Sequence, residues 1–207
     1  VGKLKEAAKA YRKLEEREPD RADVQTALGL LALRRREYDE ARRRLSRALE
    51  LGSREASTHF EYAMLLRDTN GDPAQIDAHL RRTLELNPNH AEAHFLAGLA
   101  ASKRERHSEA VAHFSRAASI LPRQSSFWHA LAMAYRETGD TGAARKAAYR
   151  ALDNAATSHE AKMARAALEL AGKEQDSPVQ KKPEVFTPPS WQNPKGDARI
   201  AGTLRRI

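Results

Sequence analysis

His90 and His94 stand four residues apart with Glu92 between them, in the stretch NPNHAEAHFLAGLAAS that runs from Asn87 to Ser102. Two imidazoles one helical turn apart share a helix face, and that is how a helix offers a pair of metal ligands. A zinc-protease helix, however, sets its glutamate directly after the first histidine. Here Ala91 holds that place and Glu92 is one residue late. A zinc site would also want a third ligand. The other histidines (His59, His79, His107, His113, His129 and His159) show no ligand spacing. The two histidines are therefore read as structural, with no metal and no cofactor implied.

A second chemistry is suggested by the basic run LRRREYDEARRRLSR, Leu33 to Arg47, with seven arginines against three acids. The whole chain of 207 residues carries a net charge of +8 and a pI near 9.9, which suits acidic partners. Single-stranded nucleic acid wants stacking aromatics beside such charge, and Tyr38 is the only one nearby. Interleaved Glu37, Asp39 and Glu40 instead suggest arginines spread around a solvated helix. Specific nucleic-acid binding is thus disfavoured. No Gly-rich phosphate loop and no G-x-S-x-G turn occurs, and without cysteine there is no thiol catalysis or disulfide. The chain reads as non-enzymatic. No apolar run reaches the roughly 18–20 residues that a membrane-spanning helix needs.

The elements that position these residues recur. Up to Gly172 the chain is rich in Ala, Leu, Glu, Arg and Lys, a helical composition. GLLALRRREYDEARRRLSRALEL from Gly29 and GLAASKRERHSEAVAHFSRAASIL from Gly98 share one frame. Each has a small residue, then an alanine (Ala41, Ala110), a large apolar residue (Leu45, Phe114) and another alanine (Ala48, Ala117). The frame also fits Ala132, Ala144, Ala148 and Ala151, and Ala63, Ile76, Leu80 and Thr83 with one extra residue in the turn Asn70-Gly71-Asp72-Pro73. Small residues at Gly29, Ala63, Gly98 and Ala132 let two helices approach closely. Prolines 19, 88 and 122 punctuate the helices. The spacing predicts first helices at 22–36, 56–69, 91–104 and 125–138. It predicts second helices at 39–51, 73–86, 107–120 and 141–154. Residues 3–17 match a second helix alone, through Ala7, Tyr11, Leu14 and Pro19. The missing partner, and a start on Val1, suggest a piece of a longer array.

Trp128, Leu131, Ala132, Tyr135, Gly139, Ala144 and Ala151 together resemble the tetratricopeptide repeat (TPR). Gln25, Phe60 and His94 stand in for its usual tryptophan, and Ser53 and Ala156 for its proline. The resemblance covers residues 3–172. It implies an all-α, right-handed α-α superhelix: a half repeat at 1–21, four repeats at about 22–157 and a capping helix at 158–172. Lys162, Arg165 and Glu169 of that cap are expected to face water. In such arrays the first helices line a concave groove. Two rows fall there, Thr26, Phe60, Phe95 and His129, and one turn later Leu30, Met64, Leu99 and Met133. Asp23, Ser57, Glu92 and Ser126 flank them on one side. Arg67, Asp68, Lys103, Arg136 and Glu137 form the other rim. An apolar floor with a charged rim suits a peptide or protein segment, and Met adds adaptability. The alternative is that these residues fill the solenoid core. TPR domains that clamp a terminal carboxylate use Asn where this chain has Ala27, Glu61, Leu96 and Ala130, so that mode is not expected.

After Gly172 the composition shifts. Residues 173–207 are rich in proline and lose the helical period, which suggests an extended tail or linker, with Ala198–Ile207 as the start of a truncated β-rich domain. Val185, Phe186 and Trp191 are expected anchors that dock the tail on its own array or a neighbour's. The function expected from the whole is a protein-interaction scaffold. Its alternatives are a regulatory or oligomerising module of a larger protein, its groove filled by a tail, and a basic nucleic-acid adaptor.

Overall fold

The computed structural model describes residues 2–173. Ten helices and no strand occur among them: α1 Gly2–Arg17, α2 Ala22–Arg34, α3 Tyr38–Glu50, α4 Ala56–Asp68, α5 Pro73–Leu86, α6 Ala91–Lys103, α7 His107–Ile120, α8 Ser125–Glu137, α9 Thr141–Asp153 and α10 Ser158–Lys173. The pairs α2/α3, α4/α5, α6/α7 and α8/α9 pack most closely, α1 lies on α2, and α10 closes on α9 and α8. This is a solenoid of stacked helix pairs. The ends lie within two residues of those the spacing predicts. Val185, Phe186, Trp191 and the rest of the tail after Lys173 lie outside the described residues.

Each first helix stops in the same way. Arg36, Asn70, Glu105 and Gly139 take a left-handed backbone, with φ of 61°, 54°, 58° and 78°. The next N–H then reaches back five residues: Glu37 to the Ala32 carbonyl at 3.0 Å, Gly71 to Leu66 at 2.7 Å, Arg106 to Ala101 at 3.0 Å and Asp140 to Tyr135 at 3.0 Å. That bond satisfies a carbonyl left over at a helix end. Two of the following helices are capped by aspartate: Asp72 accepts from the Ala74 N–H at 2.9 Å, and Asp140 from the Ala143 N–H at 2.8 Å.

Size complementarity fixes each pair. A Cβ on Gly29 would lie 2.8 Å from the Leu45 side chain, and one on Gly98 would lie 2.6 Å from the Phe114 ring. Glycine is therefore required at these two places, whereas Ala63 packs with Leu80 in the second repeat. Where the first helix carries Ala132, the residue at the place of Leu45 and Phe114 is Ala148. The core is uneven along the array. Ala32, Ala41, Leu45 and Leu65 form one small cluster, and Ala63, Leu80 and Ala93 another. From α6 to α10 a single larger one gathers around Phe114, Phe127 and Leu131. In the closing helix Ala164, Ala167 and Ala171 are buried, while Lys162, Arg165 and Glu169 are exposed.

Candidate functional site

The two expected rows lie on the first helices at equal spacing, but they differ in exposure. Thr26 is buried, and its hydroxyl shares a 3.0 Å hydrogen bond with that of Thr58, also buried. It belongs to the seam between α2 and α4 and not to any open surface. Phe60 packs against the Ala63, Leu80 and Ala93 cluster, and its ring lies 4.3 Å from that of His90. Phe95 stacks on Phe127 at 4.8 Å and meets Phe114 at 5.7 Å. The first row thus points largely into the next repeat. Its size is spent on the seam, which sequence spacing alone does not reveal. His129 is half-buried, and burial holds its proton affinity below the ordinary histidine value.

The second row is the more open one. Leu30, Met64 and Met133 are half-buried and Leu99 is 44% exposed. They supply one apolar side chain per repeat at the same register place. Polar groups border the row. Arg67 pairs with Asp68 at 3.0 Å, Arg136 pairs with Glu137 at 2.5 Å, and Lys103 is exposed. Glu61 is half-buried beside the first row. Burial raises its pKa, and His90 and Arg34 oppose the rise only in part.

On the opposite side of the first helices one tie recurs. The Gln25 amide donates to the Pro19 carbonyl at 3.2 Å, His94 Nε2 to Pro88 at 3.1 Å, and Trp128 Nε1 to Pro122 at 2.7 Å. His59 stands at the same register place, one repeat after Gln25. The residue at the tryptophan place in the second repeat is therefore His59. Phe60, expected there, belongs to the row of Thr26, one position on, because the extra turn residue follows it and cannot shift it.

Each side chain at this place faces a second helix. The Gln25 carbonyl accepts from Arg44 at 3.0 Å, and Arg44 also pairs with Glu15 and, at 2.7 Å, with Glu40. His59 and His79 meet through their Nδ1 atoms at 3.1 Å, and His94 and His113 at 3.0 Å. Since a carbonyl only accepts, His94 carries its proton on Nε2, and its Nδ1 accepts from His113. Burial lowers the proton affinity of all four histidines. These partners lie 19 or 20 residues apart, so no local motif announces them. His90 has a different task. Its Nδ1 accepts from the Ala93 N–H at 3.3 Å and caps α6. Among the described residues no group of three or more His, Asp or Glu is placed to hold a metal, and no helix is long and apolar enough to cross a membrane.

The basic run is largely neutralised. Arg43 pairs with Glu40, Arg44 with Glu15 and Glu40, Arg47 with Asp20 at 2.7 Å and Glu50 at 3.3 Å, and Arg35 with Glu37 at 3.8 Å.

Tetratricopeptide repeat models match residues 1–56, 26–75, 67–127 and 125–157, which together span the paired helices. The chain belongs to the tetratricopeptide repeat family. It is 31% identical over 154 residues to the tetratricopeptide repeat-containing protein trd-1 of Caenorhabditis elegans, across 73% of this chain and 19% of that protein. Among solved structures, the fold is similar to YrrB, a TPR protein described as having an unusual peptide-binding site (TM-score 0.65, 22% identity, 80% of this chain and 85% of that one). It is also similar to MamA (TM-score 0.62, 21% identity, 79% and 92%) and to pilF of Pseudomonas aeruginosa (TM-score 0.62, 19% identity, 84% and 83%). The TPR fold is that of a protein-interaction scaffold, and its members are generally non-enzymatic.

Proposed function

We propose that this array binds a peptide or protein segment along its first helices, with Leu30, Met64, Leu99 and Met133 as the floor. The observation that carries this reading is the 44% exposure of Leu99 within a row that repeats once per helix pair. The exposed part of an apolar side chain gains free energy when a partner covers it. Arg67, Lys103 and Arg136 form the rim, and Phe60, Phe95 and His129 stiffen the floor from beneath. Thr26 takes no part. The basic surface does not favour nucleic acid, since most arginines of its densest run are already paired.

Replacing Leu99 by Glu tests the reading. A library of extended apolar peptides displayed on phage supplies the probe. Binders selected on the native chain should lose about tenfold or more in affinity to Leu99→Glu, while the melting temperature stays nearly unchanged. Undiminished binding overturns the reading. Phe95→Glu is not a clean test, because its stacking on Phe127 makes it a core change.

A further inference from the structure

A cleft of about 450 Å³ opens between α7, α8 and α9, away from the Leu99 row. Trp128, Leu131 and Tyr135 share one face of α8 and form its floor, while His129 and Met133 lie on another face. Its wall on α9 carries Lys146, Tyr149 and Arg150.

Register explains why the cleft occurs in this repeat. The position on the second helix that faces the tryptophan place holds Arg44, His79 and His113 in the first three repeats. In the fourth it holds Ala147. One turn earlier, Glu40, Gln75 and Glu109 are followed by Ala143. Two alanines on one face of α9 leave the Trp128 side of α8 without the cover its counterparts have. The indole is nevertheless held, because its N–H is tied to the Pro122 carbonyl at 2.7 Å. Its apolar surface is thus presented in a fixed orientation, which reduces the ordering cost of binding.

The charges differ in the same way. Arg47, Arg82, Arg116 and Arg150 occupy equivalent places. Arg47 binds Asp20, Arg82 pairs with Glu85 at 2.8 Å, and Arg116 donates to Asn89. Arg150 has no ion-pair partner among the described residues, and neither does Lys146. The register place of Asp20 and Asn89 is here taken by Arg123. A fixed aromatic floor below unpaired cations matches an apolar side chain next to a carboxylate. A phosphate backbone fits less well, since Asp153 lines the same cleft and only two cations face it.

We propose that this cleft is a second binding surface, which takes an acidic peptide segment with an apolar side chain on Trp128 and a carboxylate on Arg150 and Lys146.

The test uses the full chain carrying Trp191→Phe, which leaves Trp128 as the sole tryptophan. Its emission is followed during titration with the blocked peptide acetyl-Glu-Leu-Phe-Glu-Asp-amide. The expected result is a saturable shift that weakens about tenfold or more when the acidic residues become Gln and Asn. Ala147→His should weaken it about as much by filling the cleft. His79 and His113 hold the same place in α5 and α7, and the melting curve of the variant checks that the larger side chain is accommodated there. Arg150→Glu should do likewise, and Leu99→Glu should do nothing, so this surface is separable from the one proposed above. No shift up to about 1 mM peptide, equal binding of the neutral peptide, or indifference to Ala147→His overturns the proposal. Tighter binding of an oligothymidylate than of the acidic peptide also overturns it, and assigns the cleft to nucleic acid.

Discussion

The first repeat and the fourth share a frame and fill it with opposite materials. In the first, the space between the helix pair and its predecessor is closed by charge: Arg44 gathers Glu15, Glu40 and Gln25. In the fourth, alanines on α9 leave an aromatic floor open, and the strength comes from Phe127 and Leu131 in a core shared with Phe114 of the third. The difference teaches that a repeat position fixes where a side chain sits but not what force it supplies. A polar seam needs only matched partners, whereas an apolar one needs volume.

The comparison can be broken most severely at the apolar end. Phe114→Ala should cost about 3–5 kcal/mol, since it empties the space that Gly98 leaves for the ring. Leu45→Ala, the equivalent change in the first repeat, should fall in the lower part of the about 2–5 kcal/mol range for buried leucine. Urea unfolding of both variants measures the contrast, and a larger loss at Leu45 would reverse it. At the polar end, Arg44→Met should cost about 1.5–3 kcal/mol, because it takes the charged partner from Glu15 and one of two arginine partners from Glu40. That loss should shrink as salt rises, whereas the Phe114 loss should not.

How much of this was legible in the sequence depends on how far apart the partners lie. Gly29 and Gly98 announce close helix contacts because their large partners follow at constant spacing within one pair. The left-handed turns were legible only at Gly139 and Asn70, since Arg36 and Glu105 carry no sign of that backbone. Thr26 was misplaced because its partner Thr58 lies in the next repeat, and a small polar residue gives no hint of burial. Phe60 lies one position past the tryptophan place, which His59 holds, because that place demands a hydrogen-bond donor and not an aromatic ring. Leu30, Met64, Leu99 and Met133 are set by register alone and fall where spacing puts them.

The smallest expected effect sharpens the contrast between the ends and the middle. The histidine pairs of the second and third repeats are held neutral by burial, with Arg82, Arg116 and His90 adding to the cost of charge and Glu85 and Glu109 opposing it. A histidine whose folded-state pKa lies below its unfolded value near 6.5 contributes stability that is present above that value and lost as pH falls beneath it. The unfolding midpoint should therefore drop between about pH 7 and about pH 5. The double variant His79→Gln, His113→Gln should flatten that drop. An unchanged slope would show that the pairs do not titrate within the folded array.

The tie to the carbonyl six residues back has a wider consequence. An amide, an imidazole or an indole performs it equally well, so the constraint is one of geometry and not of chemistry. The fastening of each repeat to the one before is thereby insulated from substitution at its own bolt. What changes with the donor is what lies beside it: Arg44 next to Gln25, and a cleft next to Trp128. An array built on such interchangeable bolts can acquire a new recognition surface without altering how its units are joined.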